Sequence, residues 1–170
     1  MAPLRTVTEI HDLELIHQLA HKIWWPTYQD YLDPLQIETM LSEMYSVEAL
    51  LQQQADGIRF TIWELDDQPA GFVGFGLKRP DDSENQEPVI VRIEKLYLLP
   101  EAQGFGGGRL LMQHAEEEAR KVGAALLELN VNRHNPAQLF YRRLGFLIVK
   151  EVDIPYEGFF LNDFVMQKAL

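Results

Sequence analysis

The sequence contains no cysteine. That excludes a disulfide framework, a thiolate metal site and a cysteine nucleophile, and it fits a cytoplasmic protein. No run of about 18 apolar residues occurs, the length a helix needs to cross a bilayer, so no membrane partner is expected. The first residues, MAPLRTVTEIHD, lack the apolar stretch of a secretory signal. Basic residues are scarce, 15 Lys and Arg against 26 Asp and Glu, a net charge of −11. A chain this acidic repels nucleic-acid phosphates and attracts cations. Nucleic acid is therefore not an expected partner. A cationic substrate is one reading of the charge; simple solubility is the other. What is left is 170 residues, the length of one domain, with 46% apolar residues to build a core.

Glycine is concentrated in one place. Gly104, Gly106, Gly107 and Gly108 fall within five residues, in a stretch that runs from Val89 to Gly123. VIVRIEKLYLLP reads as a buried strand, EAQGFGGG as a turn and RLLMQHAEEEARKVG as an amphipathic helix. Glycine allows positive φ and lets a ligand approach bare backbone. The unpaired N–H groups and dipole of a helix start attract an anion. The stretch thus reads as a phosphate or pyrophosphate cradle; a tight turn without a ligand would need fewer glycines. It is not the dinucleotide fingerprint Gly-x-Gly-x-x-Gly, because Arg109 stands at the last position counted from Gly104. Nor is it a P-loop, because Gly108 is followed by Arg109 and Leu110 instead of Lys and Ser or Thr. The pattern present is Gln-x-x-Gly-x-Gly, at Gln103, Gly106 and Gly108.

The other elements follow from periodicity. Leu4 to Val7 reads as a strand. Leu13, Ile16, Leu19, Ala20 and Ile23 mark one face of a helix expected to end near Trp24-Trp25-Pro26. Trp24, Trp25, Tyr28 and Tyr31 either close the core between helices or line an amine or acyl pocket. Pro34 to Glu43 and Ser46 to Gln54 read as helices, the first with Asp33 as cap and Pro34 at its first position. FTIWEL and AGFVGFGLK are strands joined by a turn at Asp66 to Pro69, with Gly71, Gly74 and Gly76 signalling a bulge or close backbone packing. Lys78 to Pro88 reads as a mobile polar loop. On the helix after the glycines, Leu111, Ala115, Ala119 and Val122 share a face, and Glu116 to Glu118 read as solvated. Ala124 to Val131 is a strand and Ala137 to Leu144 a helix ended by Gly145. Phe146 to Ile154 and Phe159 to Gln167 are strands, which leaves pairing within one chain or across a homodimer open.

The glycine loop after a strand ending in Pro100 resembles the coenzyme A loop of the GNAT N-acetyltransferase superfamily. Asn135 to Phe146, NPAQLFYRRLGF, resembles that family's second signature, and IEKLYLLP is similar to its coenzyme strand. The N-terminal stretch WWPTYQDYLDP…LSEMYS loosely resembles that of PaiA-type polyamine acetyltransferases. The resemblance implies a mixed α/β fold, a mainly antiparallel central sheet flanked by helices, with residues 1–170 forming a single N-acetyltransferase domain.

It also implies roles. Gln103 and the amides of Gly104, Phe105, Gly106, Gly107, Gly108 and Arg109 would hold the coenzyme pyrophosphate. Backbone groups of Leu96 and Leu98 would pair with the pantetheine arm, the Leu98 N–H facing the thioester oxygen, and Asn135 would contact the arm. Tyr141 would contact the coenzyme and protonate the departing thiolate. Glu94 would bind the amine and accept its proton through water. Trp24, Tyr28 and Tyr31 would contact the substrate. Acetyl-CoA is then the co-substrate and no metal is needed. His134 stands where the family often has Asn, and Gln103 replaces the commoner Arg. The expected activity is acetyl transfer to a small primary amine, a polyamine among the candidates. The alternatives are acetylation of a protein or peptide, and a coenzyme A binding module without turnover.

Overall fold

The computed structural model describes residues 3–78 and 88–170. The polar loop expected over Lys78 to Pro88 therefore lies, from 79 to 87, outside the described residues. The elements run β1 (Leu4–Thr6), α1 (Ile10–Tyr28), α2 (Pro34–Tyr45), α3 (Val47–Ala55), β2 (Arg59–Leu65), β3 (Gln68–Leu77), β4 (Ile90–Leu98), α4 (Gly107–Lys121), β5 (Leu126–Asn132), α5 (Gln138–Arg143), β6 (Leu147–Tyr156) and β7 (Phe159–Ala169). This is a mixed α/β fold with a seven-stranded, mostly antiparallel sheet in the order β1-β2-β3-β4-β5-β7-β6. The chain packs as two compact units. One comprises Met1–Phe75 and Lys95–Ala115, the other Gly76–Glu94 and Glu116–Leu170.

In the first unit, α1 buries Leu13, Ile16, Leu19, Ala20 and Ile23 as its periodicity requires. It does not stop at Pro26 but continues to Tyr28. A proline inside a helix costs about 3 kcal/mol. Here the Thr27 hydroxyl donates to the Ile23 carbonyl at 2.6 Å, and Gln29 N–H bonds the Trp25 carbonyl at 3.0 Å. Trp24 also packs on Tyr28, one turn later, with ring centroids 4.6 Å apart. Burying these two rings offsets the proline. Asp33 caps α2 by accepting from Leu35 N–H at 2.8 Å, and Ser46 caps α3 by accepting from Ala49 N–H at 3.2 Å.

β2 and β3 meet at a tighter turn than the sequence suggests. Asp66 and Asp67 have φ of 52° and 60°, the signature of a two-residue hairpin turn, so Gln68 and Pro69 already belong to β3. Pro69 lies where the register shifts, at the Trp63/Glu64 irregularity, a place that tolerates its missing N–H. A Cβ at Gly71 would lie 2.8 Å from the Tyr97 carbonyl, so the expected close backbone approach is found there.

The second unit is built on alternation. Ile90 to Ile93 of β4 pair in parallel with Leu126 to Leu129 of β5. β7 pairs antiparallel with both β5 and β6. The Phe159 strand thus finds its partners within the chain. Val91, Ile93, Leu127, Leu129, Val131 and Met166 are buried on one face, while Arg92, Glu128 and Asn130 alternate onto the other. Two readings of α4 need correction. Val122 is 53% exposed, because α4 ends at Lys121 and Gly123, at φ 74°, turns the chain away. Glu116 is not solvated: it is buried and paired with Lys168 of β7 and with Arg120 at 3.6 Å.

Candidate active site

The glycine loop follows a single 3-10 turn, Pro100–Ala102. Gly104 and Gly106 hold φ of 87° and 85°, and a Cβ at either would meet nothing within 4 Å among the described residues. The backbone there is bare and faces open space. Gly107 has a different reason to be glycine. Its Cβ would lie 2.3 Å from the Trp63 ring, so the first residue of α4 is seated directly on that indole. Leu110 N–H donates to the Gly106 carbonyl at 3.1 Å. The amides of Gly107, Gly108 and Arg109 come before it and have no intrahelical acceptor. A positive-φ nest followed by a helix start is a fitting cradle for a pyrophosphate. Gln103, Phe105 and Arg109 are exposed around it.

β4 leads into this loop. Its recorded pairs with β5 run from Ile90 to Ile93, so Leu96 and Leu98 lie past the end of that ladder. Both are half-buried. Leu99 N–H bonds the Ala70 carbonyl at 2.8 Å and fixes the strand's end against β3.

The N-terminal aromatics form a ring cluster. Trp24 and Tyr28 are buried and pack with Tyr97, and Trp24 also meets Tyr45. The Tyr28 and Tyr97 hydroxyls are 2.7 Å apart, and the Lys95 ammonium sits 4.5 Å over the Tyr45 ring. Of the three expected substrate contacts, Tyr31 alone is half-exposed; burial, and then the Asp30 charge, push its phenol up to about 12. A cavity of about 340 Å³ lies nearby in sequence, walled by His17, His21, Trp25 and Glu38, with none of Trp24, Tyr28 or Tyr31 among its walls. His17 Nδ1 is 2.7 Å from the Tyr45 carbonyl and therefore carries the proton. Burial, and then His17, lower the His21 pKa. Sequence reasoning did not single out these histidines; their four-residue spacing on one helix face was the available signal.

In the second unit, Asn132 and Asn135 build the turn into α5. Asn132 Oδ1 accepts from His134 N–H and Asn135 Oδ1 from Ala137 N–H, both at 2.9 Å. Asn135 therefore spends its carbonyl oxygen on the backbone. Tyr141 on α5 is 9% exposed, with Phe140 and Phe146 against its ring. Burial pushes its phenol up to about 12, so it keeps its proton at neutral pH.

Glu94 is exposed and lies 3.4 Å from the Arg92 guanidinium. Arg92 also reaches Glu128 at 3.0 Å. Glu128 is only 2% exposed and takes further bonds from Lys78 at 3.0 Å and Gln167 at 2.8 Å. Burial raises its pKa, but the bonds from Gln167 and Lys78 and the charges of Lys78 and Arg92 outweigh it, leaving the carboxyl below its ordinary range. Glu128 was legible only as a charge inside the apolar run AALLELNV. Among the described residues no group of three His, Asp or Glu is placed to hold a metal, and no helix is long and apolar enough to cross a membrane.

The model of the acetyltransferase (GNAT) family matches residues 17–146. The chain is 30% identical to spermidine N(1)-acetyltransferase of Thermoplasma acidophilum over 165 residues, 94% of this chain and 92% of that protein. It is 33% identical over 98 residues to an uncharacterised N-acetyltransferase of Methanocaldococcus jannaschii, covering 57% of this chain. It spans 42% of that protein's length, and 66% and 53% of two other acetyltransferase relatives. In structure it is similar to the PaiA N-acetyltransferase of Thermoplasma acidophilum in complex with coenzyme A, with a TM-score of 0.77 at 28% identity over 98% of this chain and 99% of that one.

Proposed function

This chain belongs to the GNAT acetyltransferase family, and we propose that it transfers the acetyl group of acetyl-CoA to a primary amine of a small molecule, with polyamines as the leading class. The observation that carries the proposal is the loop: two positive-φ glycines facing open space immediately before a helix whose first amides lack intrahelical partners. Likeness over nearly the whole chain to a spermidine acetyltransferase supports the polyamine class, as does the net charge of −11. Residues 1–170 act as one N-acetyltransferase domain in this reading.

Acetyl-CoA supplies an activated acyl carbon as its thioester. The backbone amides of Gly104 to Arg109, with Gln103, hold the pyrophosphate. Leu96 and Leu98 offer backbone groups to the pantetheine arm, and Asn135 contributes its amide nitrogen. Leu98 N–H donates to the thioester oxygen as negative charge develops there. Glu94 accepts, through water, the proton an ammonium must lose before its nitrogen can attack. The N–C bond forms, the C–S bond breaks, and the nitrogen gives up its second proton, which replaces the one Tyr141 passes on. Tyr141, kept protonated by burial, donates its proton to the leaving sulfur. No covalent enzyme intermediate is required, which suits a chain without cysteine.

The test is release of free thiol from acetyl-CoA with a panel of spermidine, aminoglycosides, free amino acids and short peptides. Spermidine should give turnover above the rate without amine. Release with peptides alone would replace the substrate class, and no release with any amine would overturn the transferase reading.

A further inference from the structure

The buried carboxylate of the second unit has no task in the mechanism above. Glu128 stands on β5 between its register partners, Arg92 of β4 and Gln167 of β7. A buried charge must be met by bonds. Here they come from three strands. Gln167 Nε2 donates to Oε2 at 2.8 Å, and Lys78 Nζ and Arg92 Nη1 each lie 3.0 Å from Oε1. With its pKa held below the ordinary range, the carboxyl is ionised at neutral pH. Glu128 is a fixed negative charge.

That charge divides Arg92. Alternation along β4 puts Arg92 and Glu94 on one face, two residues apart. The guanidinium turns Nη1 to Glu128 and leaves Nε 3.4 Å from Glu94 Oε1. The first contact has ordinary hydrogen-bond length and the second exceeds it. The arginine is thus committed to the buried carboxylate, and the exposed Glu94 keeps one long contact. Two other charged groups lie near. Asp163 on β7 feels the Arg92 charge but makes no ion pair with it among the described residues, and burial pushes its pKa up, which makes it the weaker anchor. Lys150 on β6 stands across from Val165. An arginine released from Glu128 would find Glu94 beside it on the same strand. Guanidinium and carboxylate close on each other through two parallel N–H bonds. A carboxylate so paired holds a proton less readily, which makes it a poorer base.

We propose that Glu128 is a positioning residue for acetyl transfer: by holding the Arg92 guanidinium it keeps that charge from closing on Glu94, so that the Glu94 carboxylate stays open to the water that brings it the amine's proton. This deepens the acetyltransferase reading and rests on Glu94 being its base.

The experiment is thiol release from saturating acetyl-CoA with varied spermidine, on the full chain. Rates are taken per coenzyme A binding site, counted by calorimetry, so that unfolded molecules do not enter. Glu128→Gln should lower kcat about tenfold and leave KM for acetyl-CoA unchanged. A merely structural role would reduce the number of sites and leave kcat per site as it was. Adding Arg92→Met to Glu128→Gln removes the cation that closes on Glu94, so kcat should return to within about threefold of the unaltered protein. Glu128→Asp, which keeps the charge, should stay within the same range. Full kcat in Glu128→Gln overturns the proposal, and so does a rate near one-tenth of the unaltered one in the double variant or in Glu128→Asp, whether or not the single Gln variant folds. Glu94→Gln separates this idea from the reading beneath it. If Glu94→Gln keeps its kcat, the base lies elsewhere and both fall. If it slows by about 10² while Glu128→Gln does not slow, the positioning role alone falls.

Discussion

Tyr141 and the loop glycines show how much rides on single atoms. Removing only the hydroxyl, in Tyr141→Phe, leaves the Phe140 and Phe146 contacts in place. Acetyl transfer should fall by about 10² or more, the usual range for a lost general acid, with coenzyme A affinity unchanged by calorimetry. Equal turnover would assign the proton to another donor. Burial pushes this phenol up to about 12, so a fall in rate below pH 10 belongs to a different group. The two adjacent glycines should fail in different ways. Gly106→Val forces a β-branched residue to a φ of 85° and places a side chain in the cradle, so coenzyme A binding should be lost. Gly107→Ala drives a methyl into the Trp63 ring, so it should lower stability by about 1–3 kcal/mol, read as a drop in melting temperature.

At the level of elements, β4 and β5 carry a buried charge between them. Glu128 has a lowered pKa, so its contribution to stability is complete above the unfolded carboxylate value of about 4.3 and is lost as pH falls through the lower folded value. Glu128→Gln should therefore cost about 2 kcal/mol near pH 7, and the difference from the unaltered protein should shrink on acidification below pH 4, as followed by urea unfolding. A constant difference would mean the carboxylate's charge is not what matters. Much of this architecture was legible beforehand. The order of elements and the Asp33 cap follow from periodicity and turn residues, and family membership from the resemblance of two motifs; periodicity leaves the pairing of β6 with β7 open. What escaped depends on neighbours distant in sequence. Pro26 stays helical because Trp24 and Tyr28 are buried together. Glu116 is buried because Lys168, 52 residues away, reaches it. The bonds of Glu128 escaped because Arg92, Lys78 and Gln167 reach it only when the strands pair. The second reason for glycine in the loop, the Trp63 ring under Gly107, had no local signal at all.

For the whole molecule, the net charge of −11 predicts a kinetic signature. Long-range attraction of a polycation is screened beyond about 8 Å at physiological salt. KM for spermidine should therefore rise between 20 and about 300 mM salt, while kcat holds. A KM indifferent to salt would reduce the acidic surface to a solubility device. The division into two units also has an optical consequence. All three tryptophans, Trp24, Trp25 and Trp63, belong to the first unit, and the second has none. Indole emission is thus blind to half of the protein, whereas far-ultraviolet dichroism sees all of it. If residues 1–170 form one cooperative domain, the two melting curves superimpose; if they part, the tryptophan trace dates the loss of the first unit alone. Trp63 lies directly beneath Gly107, so with Trp24 and Trp25 replaced by phenylalanine its emission becomes an unlabelled reporter of what fills the loop above it.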